Sequence, residues 1–544
     1  MGSISSLSRA VSALMTSQSA LNTTAHNITN VDTKGYVRQQ VIMSDSRYST
    51  VGVSRNSGMQ VGLGTDVQVI RQVRDRFLDS AFREENSRLG FYESKSTAIE
   101  EVENILGEIE GESFSKILNN LWESMSELAK SPEGLETRGT FIQNATVFVE
   151  KSNLIMQQLQ DYQKNLNTEV MRNVDRINEI GQEIRNLNEV IAEKEVHGAR
   201  ANDYRDQRNL LVDELSEMVD VSYREDTHNN LIVSIENVPF VTVGHVNELE
   251  LTEADNKSLL KDPYWPHLSS AGDEQKLYNL DIPTTTAANN DKGSLKGLIL
   301  TRGSRTANYT DLSDPNFEKK IKPSEIMTVQ AQFDKLVNGV VTMINNTLSP
   351  NTATNQLDIA NAPYGLGEDP VQGVEIFSRV YMDRYYDVTD YNEEDPTNEY
   401  SLYSAGNLKM NEAVVLDYNK ICLSKEEGFD GDSSVVEDLL AKWKKPFSNI
   451  DPSLNGDLNY VDYYNSFVSN VGTMGSSINN QVANQQLLTG QIDNQRSQLM
   501  GVASDEELSN MMKYQHAYNA ASRVVSVVDD MIERVVNQTG LVGR

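Results

Sequence analysis

The sequence predicts a multidomain α + β chain. Its two ends form a helical coiled-coil stalk around a long-helix bundle and β-rich central domains. Three observations carry this reading. Apolar residues recur at steps of three and four at the start (Ile4, Leu7, Val11, Leu14, Leu21, Ala25, Ile28) and again at the finish (Leu508, Met511, Tyr518, Val525, Val528, Ile532, Val536). A second helical stripe runs unbroken from Phe148 to Ile191, and the period switches from helical to alternating near Asp220. Spacing by three and four puts one apolar seam on each terminal helix, and a seam needs a partner. The predicted assembly interface is therefore Ile4, Leu7, Val11, Leu14, Leu21, Ile28, Leu508, Met511, Tyr518, Val525, Val528 and Ile532.

Taken in order, residues 1–36 read as an N-terminal coiled-coil helix, from about Ser3 to about Asn30. It is closed by Asn30-Val31-Asp32-Thr33-Lys34-Gly35-Tyr36, which supplies breakers and a glycine able to take a positive φ. Residues 37–74 alternate β-branched runs with Gly- and Ser-rich turns, an extended ribbon. Residues 75–220 read as a long-helix bundle built around one helix of roughly 45 residues. Residues 221–460 form the β-rich centre, with strands near Val221, Leu231–Ile235, Val238–Val243 and Leu249–Leu251 and an internal helix at about Ile326–Leu348. The run Tyr385–Asp395 reads as an exposed acidic loop. Residues 461–503 return to the bundle, and 504–544 form the C-terminal coiled-coil helix.

With 544 residues the chain is long enough for two to four domains. Its formal net charge is −31, from 79 acidic and 48 basic residues, a field that repels nucleic acid and anionic membrane surfaces. No stretch reaches the roughly 20 apolar residues of a membrane span. The start MGSISSLSRAVSALM lacks the basic and apolar regions of a Sec signal peptide. Cys422 is the single cysteine, so no intrachain disulfide can form, and its acidic surroundings argue for an inert thiol.

Chemistry is sparse. His26, His197, His228, His245, His267 and His516 show no metal-ligand spacing, and no nucleophile elbow, Walker loop or His-Glu-x-x-His motif occurs. Asp451-Pro-Ser453-Leu-Asn455-Gly456-Asp457-Leu-Asn459-Tyr-Val-Asp462 has oxygen ligands in the order of a calcium loop. Pro452 and the short Asp462 favour a plain turn instead. The expectation is no catalytic residue, no cofactor and no metal.

The segment Asn27-Ile28-Thr29-Asn30 followed by Thr33-Lys34-Gly35-Tyr36-Val37-Arg38-Gln39 resembles the N-terminal signature of bacterial flagellar axial proteins. Its Tyr-x-Arg-Gln continuation is similar to the hook-associated, FlgK-type family. Asn202-Asp203-Tyr204-Arg205-Asp206-Gln207-Arg208, Gly293-Ser294-Leu295-Lys296-Gly297-Leu298 and Glu506-Glu507-Leu508-Ser509-Asn510-Met511-Met512-Lys513-Tyr514-Gln515-His516-Ala517-Tyr518 resemble further motifs of that family, in the same order. The resemblance implies a structural junction between hook and filament. It also implies a ring of identical copies, contact with hook protein and with the next hook-associated protein, type III export, and an export chaperone on the C-terminal helix. Hook- or rod-type axial proteins, and an axial protein with an enzymatic insertion, are the alternatives.

Overall fold

The computed structural model describes residues 2–54, 57–107, 113–196, 198–255, 258–270, 272–280, 282–367, 369–385, 391–454 and 456–539. For residues 2–5, 49–54, 57–61 and 537–539 it describes the backbone alone. In chain order, α1 (Gly2–Thr29) precedes strands β1 (Gln39–Asp45), β2 (Tyr48–Ser54), β3 (Ser57–Gly62) and β4 (Thr65–Gln72). Helices α2 (Arg76–Leu106), α3 (Phe114–Lys130), α4 (Leu135–Glu195) and α5 (Asn202–Met218) follow. Next come β5 (Val221–Glu225), β6 (Leu231–Ile235), β7 (Val238–Val241), β8 (Glu250–Glu253) and β9 (Lys261–Tyr264). After them lie α6 (Ser294–Arg302), α7 (Phe317–Lys320), α8 (Glu325–Leu348), β10 (Phe377–Arg379), β11 (Leu408–Met410), α9 (Glu412–Leu416) and α10 (Ser434–Trp443). The chain ends with α11 (Tyr460–Met500) and α12 (Ser504–Thr539). Two units result: one from Met1–Leu89, Arg176–Glu248 and Gln485–Arg544, the other from Gly90–Asp175 and Leu249–Asn484.

In the first unit, α1 and α12 pack along one another, and α1 also lies on the β1–β4 ribbon. β1 and β4 pair antiparallel from Gln39↔Gln72 to Asp45↔Thr65, with a bulge between Ile42 and Met43. β2 and β3 extend the ribbon as a hairpin. Gly35 takes φ +80°, a conformation costly for a side chain, and packs on Leu210 of α5. β5, β6 and β7 form an antiparallel sheet whose inward Leu231, Val233 and Ile235 alternate with half-buried neighbours. Its tight turns use Asn229, Glu236 and Asn237 at positive φ.

The second unit is built around α8. Ser324 caps it by accepting the Met327 N–H, and residues on all its faces are buried. Phe333 meets Phe114, and Phe114 meets Phe148 and Tyr464, in a cluster with ring centroids 5.1–5.7 Å apart. Gly297 of α6 has no room for a side chain: a Cβ there would stand 2.7 Å from the Phe91 carbonyl oxygen. Sheets here are small, β8–β9 and β10–β11. Between them, buried guanidiniums hold irregular chain in place. Arg138 donates to the carbonyls of Pro132 and Ile421, and Arg379 to those of Ser401, Asp383 and Asn392. Arg302 donates to Asp262 at 2.6 Å and to the Lys261 carbonyl at 2.8 Å.

Two expectations need correction. The long helix has 61 residues rather than roughly 45, because Phe141, Ile142 and Ala145 are already buried ahead of Phe148. The acidic run after Tyr385 is not simply an exposed loop. Residues 386–390 lie outside the described residues, but Asn392 is buried, and Glu394 accepts from the Tyr309 hydroxyl (2.6 Å) and the Tyr403 N–H (2.8 Å).

Candidate assembly site

The three motifs at Asn27, Asn202 and Glu506 converge on one polar knot in the first unit. Asn27 is its hub and is 1% exposed. Its amide nitrogen donates to the Gln39 carbonyl (2.9 Å) and to Glu507 Oε2 (3.0 Å). Its oxygen accepts from the Tyr36 hydroxyl (2.8 Å) and the Gln39 N–H (3.0 Å). All of its hydrogen-bonding capacity is therefore used inside the protein, as burial demands. Arg38 completes the grip on α12, with Nε 2.8 Å from Glu507 Oε1 and Nη1 3.1 Å from Glu506 Oε2. The Arg38 N–H also bonds the carbonyl of Met500, at the end of α11 (2.9 Å).

From α5, Gln39 Nε2 reaches Asp203 (2.8 Å), and Asn202 Nδ2 reaches the Gln39 side chain (3.2 Å) and the Ile70 carbonyl (3.0 Å). Asp206 accepts the Val37 N–H (3.1 Å) and Gln72 Nε2 (2.6 Å), so one carboxylate holds the roots of both ribbon strands. Burial pushes the Asp206 carboxyl up to about 7, against the pull of the Val37 N–H, Arg74 and Gln72 and with help from Asp203. The Tyr36 hydroxyl is also raised, by burial and by Asp203, Asp206 and Glu507.

The terminal helices carry the predicted interface residues. On α12, beyond buried Glu507 and half-buried Asn510, the covered positions are Met511, Tyr514, Tyr518, Ala521, Val525, Val528 and Ile532, at alternating steps of three and four. Leu508 and Val536 point to solvent. On α1 the fully buried positions are small or hydroxylic: Ala10, Thr16, Ser17, Ala20, Thr23, Thr24 and Asn27. Leu7, Leu14, Leu21 and Ile28 are half-buried at the margin of that face, while Val11 and Ala25 are exposed. At 100° per residue, the covered face of α1 is rotated from the apolar stripe by roughly a third of a turn. Ile4 lies outside the residues whose side chains are described.

Both helices leave further apolar side chains uncovered. Val524, Val527, Met531 and Val535 make a second stripe on α12, and Met15 of α1 is 68% exposed. Sequence reading quoted Asn27, Arg38, Asp203, Asp206 and Glu507 within motifs but assigned them no role. Their partners lie as many as 480 positions away.

Little here suits chemistry. A cleft of about 580 Å³ beside the knot is lined by Tyr36, Arg74, Asp213 and Arg496, and its charges are paired. Arg74 lies 2.5 Å from Asp79, and Arg496 lies 3.0 Å from Asp79 and 2.8 Å from Asp213. Among the described residues no three His, Cys, Asp or Glu side chains gather as a metal site, and no helix is long and apolar enough to cross a membrane. His197 and Asn455 lie outside the described residues. Asp451 spends its oxygens on the Ser453 N–H and hydroxyl and on Lys322 (3.0 Å), as a turn residue does. Burial pushes the Cys422 thiol up to about 11, away from thiolate reactivity.

Comparison with known proteins agrees along the chain. Residues 99–357 match the flagellar hook-associated protein FlgK helical domain. Residues 7–36 match the flagella basal body rod protein family, and 494–539 the C-terminal family of the basal body rod FlgEFG proteins. Flagellar hook-associated protein 1 of Bacillus subtilis is 28% identical over 98% of this chain and 97% of its own length. The Escherichia coli protein of that name is 24% identical over 98% and 99%. The solved flagellar hook junction protein FlgK from Burkholderia pseudomallei shares the fold at TM-score 0.53 and 13% identity, covering 76% of this chain and 99% of its own. Along almost its whole length the chain is thus similar to the FlgK type of bacterial flagellar hook-associated proteins, structural components of the flagellum.

Proposed function

We propose that this protein joins the flagellar hook to the filament, as a ring of identical copies set between hook protein and the next hook-associated protein. The observation that supports this most directly is the second apolar stripe of α12. Val524, Val527, Met531 and Val535 face solvent on a helix whose other seam is already paired with α1. A contiguous exposed apolar stripe marks a protein–protein contact, and together with exposed Val11 and Met15 of α1 it is the lateral contact with neighbouring copies on this reading.

On this reading residues 1–36 and 504–544 are the assembly stalk, 75–220 with 461–503 a bundle, and 221–460 the outward part. The chain carries no enzymatic activity. It leaves the cell through the flagellar type III exporter, with a chaperone on the C-terminal helix, and its working place is extracellular. In the free chain the terminal pair is closed most of the time but opens far more often than the second unit does, and burial between copies then offsets the entropy of holding it shut.

A strain lacking the chain should bear hooks without filaments and spill flagellin into the medium; normal filaments would sink the junction reading. Leu14→Asp or Val525→Asp should abolish filament attachment while the second unit stays folded. Hydrogen exchange of the free chain should be fast before about Gln40 and after about Ser504, and full protection there would refute this frequent opening.

A further inference from the structure

We infer that Glu507, gripped by Asn27 and Arg38, sets the register in which α12 lies along α1. Packing alone discriminates poorly between registers here. The inner face of α12 recurs once per turn, every three or four residues (Met511, Tyr514, Tyr518, Ala521, Val525, Val528, Ile532), and α1 answers with a row of small side chains at matching steps (Ser17, Ala20, Thr24). A slide of one turn, about 5.4 Å, would lay similar side chains against similar ones. A single buried polar position is the known device for removing that degeneracy between paired helices.

The surrounding framework shows why the device must sit on α12. Helix α1 is tied to the ribbon through Thr16, which donates to the Thr65 carbonyl (3.3 Å), and through Asn27 on Gln39. The ribbon is tied in turn to the end of α11 through the Arg38 N–H on Met500. Only Gly501, Val502 and Ala503 separate that anchor from α12. Three extended residues span about 10 Å, enough to permit a one-turn slide. Glu507 is the fourth residue of α12 and is 2% exposed, with each carboxylate oxygen on a different donor. After a slide both oxygens would lose their donors inside the protein, and one of the two Asn27 amide N–H groups would lose its acceptor. If the pair is the assembly surface proposed above, the same lock decides which of its residues face a neighbour.

The test is a distance measurement within one full-length chain. Spin labels at Met15→Cys and Val524→Cys occupy exposed sites, while buried Cys422 stays unlabelled. The wild-type background should give one narrow distance. Glu507→Leu and Asn27→Ala should each add a population displaced by about one helical turn, ~5.4 Å. An unchanged single distance in both variants would overturn the inference, as would a wild-type distribution as broad as theirs. Loss of helix content by circular dichroism in Glu507→Leu would assign the residue to stability and also overturn it. Because the distance is internal to one chain, the lock can stand or fall independently of the hook–filament role, which the deletion strain tests.

Discussion

Helices α8 and α12 are both rich in apolar residues and meet opposite fates. α8 buries Val329, Phe333, Leu336, Val340 and Ile344, and its polar residues go inside as well. Asp334 accepts the backbone N–H groups of Tyr309 (2.9 Å) and Ala405 (2.6 Å), and Asn345 donates to the Phe377 carbonyl (2.7 Å). α12 does the reverse, burying one seam and leaving Val524, Val527, Met531 and Val535 in water. The second unit thus covers its central helix from within one chain. The terminal pair of the first unit leaves that stripe exposed, the surface that the proposed assembly would cover. What sets α8 apart from α12, beyond its somewhat higher apolar content, is the number of faces covered within the chain.

The strongest way to break this contrast is Phe333→Ala, which removes a fully buried ring from the aromatic cluster of the second unit. Denaturant unfolding should lose about 3–5 kcal/mol, with exchange in the terminal helices unchanged. A loss below about 1 kcal/mol would show that α8 is less tightly enclosed than described.

Next comes Asp334, raised to about 7 by burial, against the Ala405 and Tyr309 N–H groups and with help from Glu394 and Asp311. Its folded form holds a proton more tightly than the unfolded chain does. Its stabilising contribution is therefore complete below the ordinary carboxylate range and is lost as pH rises through about 7. The difference in melting temperature between wild type and Asp334→Asn should shift against the wild type from pH 4 to 8; a constant difference would refute it.

A smaller effect sharpens the comparison from the other side. Val528→Asp, on the buried seam, should speed exchange in α1 and α12 and destabilise their pairing by about 2 kcal/mol or more. Val527→Asp, one residue away and exposed, should change free-chain stability by no more than about 0.5 kcal/mol. It should nonetheless abolish filament attachment, and normal motility in a Val527→Asp strain would remove the exposed stripe from the assembly surface.

Much of this was legible in the residues. The α12 seam, the opening helix, the β5–β7 hairpins and the internal helix all follow from period and turn chemistry. The covered face of α1 was not, because Ala10, Ser17, Ala20 and Thr24 carry too little hydrophobic signal to mark a contact that small size makes possible. The knot at Asn27 was visible as motifs but not as a site, since proximity between Asn27, Asp206 and Glu507 is a product of the fold. The stretch around Arg379 and Arg384 resisted reading for another reason. It is held by guanidinium-to-carbonyl bonds, such as Arg384 to the Ser349 carbonyl (2.8 Å), which leave no periodic trace in sequence.

The bond between Asn27 and Glu507 closes a loop of 480 residues. A nascent chain, folding from its N-terminal end, has no way to make that bond until Glu507 has been synthesised. The central helices can settle much earlier. Closure of the terminal pair is thus a late event, possible only once α12 has been made. A molecule truncated anywhere before α12 would leave α1 without the helix it packs against, and on the proposed reading it could not join the assembly.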